Sequence, residues 1–548
     1  MSFLSSHLLS AQSVYYHPSQ DELLKLDEVE AASKSLLDFH MGVRPYRKHS
    51  VTSAWIRMQD LTQGSKDSEM LSCYHADVFM MDTVNRPAHW TEPRPLWKYF
   101  YQDGQHFYSL YRNEFSLTID PLIQLSGGYQ KSAPSALYLN QRGFNLQLTL
   151  DRKLAASFTL LETQQAILHH VYEYEQLYAA LPGAALYKAY SGKILSFKRA
   201  YDYLLAEGGL SYDISRHVNL SLGHGKHFIG FGMRSLFLSE FAPPQFFLKL
   251  QAEFWKIRYQ SIFSELSAGT LEKQGNHLLG KKYMASHVLS FNLSKRWNLG
   301  LFESVVFARE NHFEFQYLNP VILYRFVEQA LGSPDNAFLG FQSKYLINSS
   351  FNVYGQCLFD ELVIKEFVQF SGWWGNKFGV QLGMNYHRAF GVSNLHLQAE
   401  WNVVRPYTYT FRDSVANYSH YHQALAHPLG ANFSEWLIKA DWTPSNKFHF
   451  KGFISYAIKG LDEGDLNYGG NILKDYDSRI GDENINLFQG LKSKVFTGSM
   501  IVQYKFFYNT FLYAELGGRN SIQKSLKKNN YWLEFGLRLN LDKNYFPY

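Results

Sequence analysis

Cysteine is almost absent: the 548 residues carry only Cys73 and Cys357. Two thiols cannot build a disulfide framework, and no CxxC pair exists to hold a metal or run redox chemistry. Charge is also sparse, with 18% Asp, Glu, Lys and Arg where soluble domains average about 25%. The net charge of +5 is small and its lysines and arginines are scattered, so no basic tract argues for nucleic acid as a partner. No apolar run approaches the ~18 residues that cross a bilayer as a helix, which excludes ordinary helical membrane proteins. Mean hydropathy is -0.27. Linkers rich in Pro, Gly or Ser are missing too, so one continuous architecture is expected rather than a string of domains. GxSxG, HExxH and Walker-type motifs do not occur, so no enzyme class and no cofactor is indicated.

What the chain has in excess is aromatic rings. Tyr, Phe and Trp number 38, 43 and 11 and make up 17% of residues. The second abundant feature is alternation with period two, in which neighbouring side chains point to opposite faces of a strand. Tyr531, Leu533, Phe535, Leu537, Leu539 and Leu541 share one face, with Trp532, Glu534, Gly536, Arg538 and Asn540 on the other. Phe448, Phe450, Ile454, Tyr456 and Ile458 alternate with His449, Lys451, Ser455 and Lys459. Phe378, Val380, Leu382 and Met384 alternate with Lys377, Gln381 and Asn385, and Leu395 to Val403 repeats the pattern. Comparable segments fall near 115–124, 135–149, 153–161, 209–222, 246–260, 282–292, 296–308, 337–349, 351–361, 431–442, 494–507 and 510–518.

Roughly 16 to 18 antiparallel strands follow, the range of transmembrane β-barrels. A soluble β-sandwich also alternates. Strands of about ten residues, aromatics at strand ends where interfacial girdles belong, and the aromatic terminus Tyr545–Tyr548 favour an all-β transmembrane barrel in the outer membrane. On this pattern Cys357 faces lipid, and a bridge to Cys73 is not expected.

Three stretches read as helices instead. Residues 21–39 place Leu23, Leu26, Val29 and Leu36 among Asp21, Glu22, Asp27, Glu28 and Glu30, an acidic amphipathic helix. The others are 161–180, stopped by Pro182-Gly183, and Pro320 to Leu331, stopped by Gly332. Helices have no place on a barrel's lipid wall, so all three are expected outside it, as periplasmic caps or plugs. Residues 3–11 (FLSSHLLSA) before Gln12 resemble the tail of a secretory signal without its basic start. The expected organisation is a signal-like remnant over 1–12, a periplasmic helical segment over 13–60, and a barrel over 61–548 with helical insertions near 161–182 and 318–332. The stretches 61–97 and 460–493 carry no clear pattern.

Several constellations carry polar chemistry. Gly223-His224-Gly225-Lys226-His227, with Arg234 after Gly230 and Gly232, offers donors for the hydroxyls or carboxylates of an acidic sugar. The favoured alternative is a lumen plug paired with Glu240, Glu253 or Glu400. Trp373-Trp374-Gly375-Asn376 suits stacking on sugar rings, although an interfacial aromatic belt is the preferred reading. Beyond the Arg405-Pro406-Tyr407 corner, His420 and His422 are spaced to share one strand face, with His427 nearby. Zinc needs three or four converging ligands, so no metal site is expected. Asp360 and Glu361, adjacent on a strand, should point opposite ways and form no glycosidase pair.

Strings along nearly the whole chain resemble the Wzi capsule-assembly family, in particular its relatives in gliding bacteria. They include FHMGVRPY (39–46), LYLNQRGF (137–144), SLGHGKHFIGFGMRSLFLSEFAPP (221–244), FESVVFAR (302–309) and YLNPVILYRFVE (317–328). LFDE (358–361), WWGNKFGVQLG (373–383), AEWNVVRPYTYTF (399–411) and HPLGANFSEW (427–436) follow in order. The resemblance implies an outer-membrane barrel of about 18 strands with periplasmic helices at one mouth and folded loops at the other. It further implies surface polysaccharide as ligand, and in gliding bacteria an association with the moving surface layer and with secretion or gliding apparatus proteins. A solute pore, and a lipid or glycan hydrolase using His224 or His427 as base, are the rival readings.

Overall fold

The computed structural model describes residues 15–51 except 17, 19 and 49, and 106–541 with breaks at 113, 132–134, 152, 191–198, 270–278, 310–313, most of 321–334, 370, 508 and 525. The signal-like start, Cys73, the unread stretch 61–97, most of the third helix and the aromatic terminus lie outside the described residues.

Eighteen antiparallel strands close into a barrel. They are β1 Phe115–Gln130, β2 Ser135–Leu150, β3 Leu154–Ala166, β4 Ala200–Asp213, β5 Val218–Gly225 and β6 Gln245–Phe254. Then come β7 Ile257–Ser267, β8 Lys281–Asn292, β9 Trp297–Phe307, β10 Asn336–Leu346, β11 Phe351–Glu361 and β12 Lys377–His387. The last six are β13 Leu395–Val404, β14 Phe433–Ser445, β15 Phe448–Leu461, β16 Leu491–Phe507, β17 Thr510–Gln523 and β18 Leu526–Leu539. Closure pairs Trp532 with Gln130 and Leu539 with Ile123. A closed sheet leaves no edge, so the paired strands of the wall satisfy one another's backbone groups without water.

Along the wall Leu125, Phe158, Leu210, Leu382, Ile454 and Phe535 are exposed, while Gln124, Gln381, Ser455 and Arg538 face inward and are buried. This apolar exterior makes the chain an outer-membrane barrel. Tight turns such as 151–153, 255–256 and 446–447 occupy one end, and long connections such as 167–199, 405–432 and 462–490 the other. By the usual asymmetry the long connections face the cell exterior.

Two alternating stretches prove to be hairpins. Residues 209–222 turn at 214–217, and 246–260 turn at Trp255-Lys256, where Trp255 adopts φ 56°. Neither turn carries the Gly, Asn or Pro that signals one. The helix expected over 161–180 begins only at His169: Leu154–Ala166 is wall, and α2 spans His169–Tyr178. Polar residues on both faces of 162–165 hide the alternation there.

The first helix, α1 (Gln20–Ser33), ends where the Ser33 hydroxyl donates back to the carbonyls of Val29 and Glu30 and Lys34 turns left-handed. It lies in the lumen at the tight-turn end, with Asp27, Glu28 and Glu30 buried as well as Leu24 and Leu26. Lys344 of β10 bonds Asp27 and Glu30, Asn385 of β12 also bonds Asp27, and Glu28 meets Arg388 at 3.0 Å and His396 at 3.4 Å. The chain then crosses the lumen to β4, where Arg47 pairs with Asp213 at 2.7 Å.

Candidate functional site at the outer mouth

The connection between β5 and β6 does not loop outward. Residues 226–244 fold back through the lumen and reach β11–β14 on the opposite side of the ring. The amide of Gln356 donates to the Ile229 carbonyl at 2.9 Å and accepts from the Leu236 N–H at 2.8 Å. Gln381 donates to the Arg234 carbonyl at 3.0 Å. Glu400 accepts from the backbone N–H groups of Met233 and Arg234, and from the side chains of Tyr354 and Asn402. A buried carboxylate with four donors is fully satisfied. Gly232 makes this approach possible, since a Cβ there would stand 2.2 Å from the Glu400 carboxylate.

The Arg234 guanidinium reaches Glu435 of β14 at 3.4 Å, and His427 joins the same carboxylate at 2.8 Å. Apolar side chains complete the strap: Phe237 stacks on Phe302 of β9 at 4.5 Å, within a buried cluster that includes Leu236, Phe241, Phe338, Leu358 and Phe433. Residues 405–432 pack over it, with Tyr409 donating to the Leu236 carbonyl and the Ser239 N–H to that of Leu425.

The glycine-rich stretch is therefore split. His224 lies on the outward face of β5, exposed and bonded to the Ala206 carbonyl, and so cannot present a donor to the lumen. The Lys226 ammonium donates to the Glu240 carbonyl at 3.1 Å, and burial lowers its pKa. His227 is buried with its ring edge-on to Phe247. Only Arg234 of the four makes a carboxylate pair among these contacts, and its partner is Glu435 rather than Glu240, Glu253 or Glu400; Glu253 pairs with Arg258. With His224 outside and His427 buried on Glu435, neither is placed as a base in the mouth.

The histidine trio also disperses. Tyr421 and His422 form a left-handed two-residue turn, so His420 and His422 do not share a strand face. His420 accepts from the Ser267 N–H, and His422 bonds the Tyr178 carbonyl. Asp360 and Glu361 do converge, contrary to expectation, because a bulge between Phe359 and Glu361 lets both reach Lys377, at 3.0 and 3.3 Å.

The remaining candidates come together on the exposed side. Trp373 and Trp374 do not sit in a lipid-facing belt; they pack against the 462–490 connection, where the Trp374 N–H donates to the Asp482 carbonyl. The Arg479 guanidinium lies 4.1 Å over the Trp374 ring, with Tyr476 at 4.8 Å and Tyr407 edge-on at 6.4 Å. Arg405 donates to the Trp373 and Ile485 carbonyls, and burial pulls its pKa down while pushing Tyr407 up to about 12. Asn376 is buried and accepts from the Val363 N–H, so it orders the turn rather than a ligand. Around the half-buried indoles stand exposed Arg412 and Asp477, and Arg479 bonded to Asp482. An aromatic face ringed by hydrogen-bonding charges is what a sugar ring needs.

The fold resembles that of Wzi. This outer-membrane protein of Escherichia coli, involved in group 1 capsule assembly, is a carbohydrate-binding β-barrel; the match has a TM-score of 0.53 at 12% identity, over 97% of this chain and 100% of Wzi. OprD of Pseudomonas aeruginosa matches at TM-score 0.41 and 9% identity over 78% of this chain and 96% of its own. OccAB4 of Acinetobacter baumannii matches at 0.42 and 8%, over 78% and 98%. No protein-family model and no curated protein matches in sequence. At such identities the Wzi likeness is one of fold.

Sequence reasoning missed Glu435, Tyr476 and Arg479. Glu435 was legible as an inward acid in the alternating strand FSEWLIKADW, whereas Tyr476 and Arg479 fall in the patternless stretch 460–493. The mouth also carries a pH dependence. Burial pulls the His420 pKa down to about 3, so the folded state holds this ring neutral. Its contribution is complete above the unfolded value of about 6.5 and is lost as pH falls toward 3, by about 1.4 kcal/mol per unit. Urea unfolding at pH 7.5 and pH 5 should therefore differ by about 2 kcal/mol from this group, and His420→Gln should flatten that part of the slope.

Proposed function

We propose that this barrel is a plugged outer-membrane protein that holds surface polysaccharide at its outer mouth. One observation carries the reading: residues 226–244 cross the lumen and are pinned to the far wall by Glu400 and Glu435. Such pinning suits a scaffold more than a passage. The Trp373–Trp374 face with Tyr476 and Arg479 is the part of the mouth suited to sugar rings. The likeness to Wzi, itself a carbohydrate-binding barrel, supports the same reading. His227, Arg234 and His427 hold the plug in this scheme and do not meet the glycan. The gliding-associated role implied by the sequence resemblance forms no part of it.

The test is retention of the purified barrel on immobilised acidic capsular polysaccharide. Trp374→Ala should weaken retention about 10-fold or more, the scale of one lost stacking and cation–π contact. Asn376→Ala should instead lower stability. Equal retention of Trp374→Ala and the parent would remove the mouth from the reading. A second reading, passage of small solutes, is favoured by the half-buried polar lining of β2, β3 and β17, including Asn145, Thr159 and Arg519. It predicts steady conductance from the unmodified protein.

A further inference from the structure

The outer surface of the barrel carries a polar row that lipid contact alone does not explain. Ser261, His287 and Glu303 are direct cross-strand partners on β7, β8 and β9, and all three lie on the outward face. The outward positions around them are apolar at Phe263, Ala285 and Val305 on one side and at Leu289 and Leu301 on the other, where Tyr259 completes the row with its ring 5.7 Å from the imidazole. The carboxylate of Glu303 and the imidazole of His287 are nonetheless buried, because Tyr317 and Tyr324 from the connection between β9 and β10 pack over them on the outside of the wall. That connection is clamped at its base, where Arg309 grips Asp335 with two bonds of 2.8 and 2.7 Å and Tyr317 donates to the same carboxylate. Ionisable side chains held at membrane depth are costly, and by default they mark a functional site.

The orientation of the imidazole gives the row its chemistry. His287 turns Nδ1 toward Glu303, 3.8 Å away, and Nε2 toward the Tyr324 hydroxyl, 2.7 Å away. The Tyr324 ring stacks on the imidazole at 4.1 Å, on the same outer face as Ser261, which stands directly opposite His287 and is only half-buried. A hydroxyl, an imidazole and a carboxylate in that order are the roles of nucleophile, base and orienting acid, recognised by geometry and not by sequence position.

We propose that Ser261, His287 and Glu303, linked through Tyr324, form an esterase site on the lipid-facing wall that cleaves O-acyl esters of membrane lipids. Ser261 Oγ bonds to the ester carbonyl carbon as its proton passes to the Tyr324 oxygen and the Tyr324 proton moves to His287 Nε2. Glu303 stabilises the resulting imidazolium. Collapse of the adduct breaks the bond to the alcohol oxygen, which regains the proton from His287 through Tyr324. Water then attacks the acyl-serine by the same relay, releasing the fatty acid and restoring Ser261. The partly exposed row of Leu289 and Leu301 suits an acyl chain. Depth fits as well, since four residues further along β7 the outward face becomes charged at Glu265–Lys281, 2.8 Å apart, the boundary where ester groups of the outer leaflet lie.

This activity is independent of the mouth and is tested apart from it. The full-length protein in detergent is treated with a fluorophosphonate and its labelled peptide mapped. Fatty-acid release is measured in two arms, glycerophospholipid vesicles and lipid A, which distinguish the two sources of ester. The expected result is a label on Ser261 and release in at least one arm. Ser261→Ala and His287→Gln should each reduce release about 100-fold or more, the usual scale for a lost nucleophile or base. Tyr324→Phe, which keeps the ring and removes the relay hydroxyl, should slow release while leaving the barrel's heat-modifiable gel migration unchanged. No label and no release from protein with folded migration would overturn the proposal, as would equal release from Ser261→Ala.

Discussion

Glu435→Gln is expected to destabilise the barrel by about 3 to 5 kcal/mol and to make a silent lumen conduct. The side chain is buried on the lumen face of β14 and receives both the Arg234 guanidinium and the His427 imidazole. Neutralising it leaves Arg234 without that counter-charge in a dry site, which costs more than the pair ever contributed. Because Arg234 belongs to the strap and Glu435 to the wall, the loss falls on docking of the strap. Single-channel recordings should show steady openings from Glu435→Gln under conditions in which the parent stays closed. The double variant Arg234→Met with Glu435→Leu removes both charges at similar volume, so it should recover much of the stability. Additive losses in the double variant would mean that the two residues act independently and that the strap is held by its apolar cluster alone.

Lys344→Met should have a comparable effect at the other end. Lys344 is the cation between Asp27 and Glu30, all three buried where α1 meets β10. Burial already raises the Glu30 pKa in spite of the attraction of Lys344. Without the ammonium, two buried carboxylates face each other, and about 3 to 5 kcal/mol of docking energy should be lost. The expected readout is rapid proteolysis within residues 20–51 while the barrel resists. The sign with pH is opposite to that of His420. A carboxyl with a raised folded-state pKa binds its proton more tightly when folded, so its contribution fades as pH rises. Undocking should be greater at pH 8 than at pH 5, and adding Asp27→Asn and Glu30→Gln should remove the difference. An intact N-terminal segment at both pH values would show that Leu26, Val29 and the crossing chain hold α1 without the charges.

How far the fold was legible follows from what alternation measures. Along most of β15 and β18 apolar and polar residues alternate, because one face meets lipid and the other the lumen; Phe448 to Ile458 and Tyr531 to Leu539 therefore declare both strand and orientation, although Phe453, Ala457 and Trp532 stand on the lumen face. The signal fails where a strand is polar on both faces, as at Glu162 to Gln165, or where a turn uses ordinary residues, as at Trp255-Lys256. It fails again on the outer face of β8 and β9, where a connection folds back over the wall and replaces lipid, so that His287 and Glu303 interrupt the apolar run.

The candidate site was legible as a set of residue types but not as an arrangement. Arg234 was visible as a donor and Glu400 as an acid, yet the Arg234 side chain took Glu435, and Glu400 took backbone amides. Trp373 and Trp374 were visible as a sugar-stacking pair, but their neighbours Tyr476 and Arg479 lie about a hundred residues further on, in a stretch without period.

By itself the sequence determined the class of molecule: a membrane barrel of long alternating strands, with glycines at 230 and 232 that let a connection fold inward and acids on an N-terminal helix. Alternation is local physics, a response of each residue to the face on which it stands. Only the tertiary structure decided which charges meet, that the β5–β6 connection spans the lumen, and that Ser261, His287 and Glu303 form one row. Those outcomes depend on barrel closure and strand register, which bring residues far apart in the chain to within bonding distance and which no local pattern encodes.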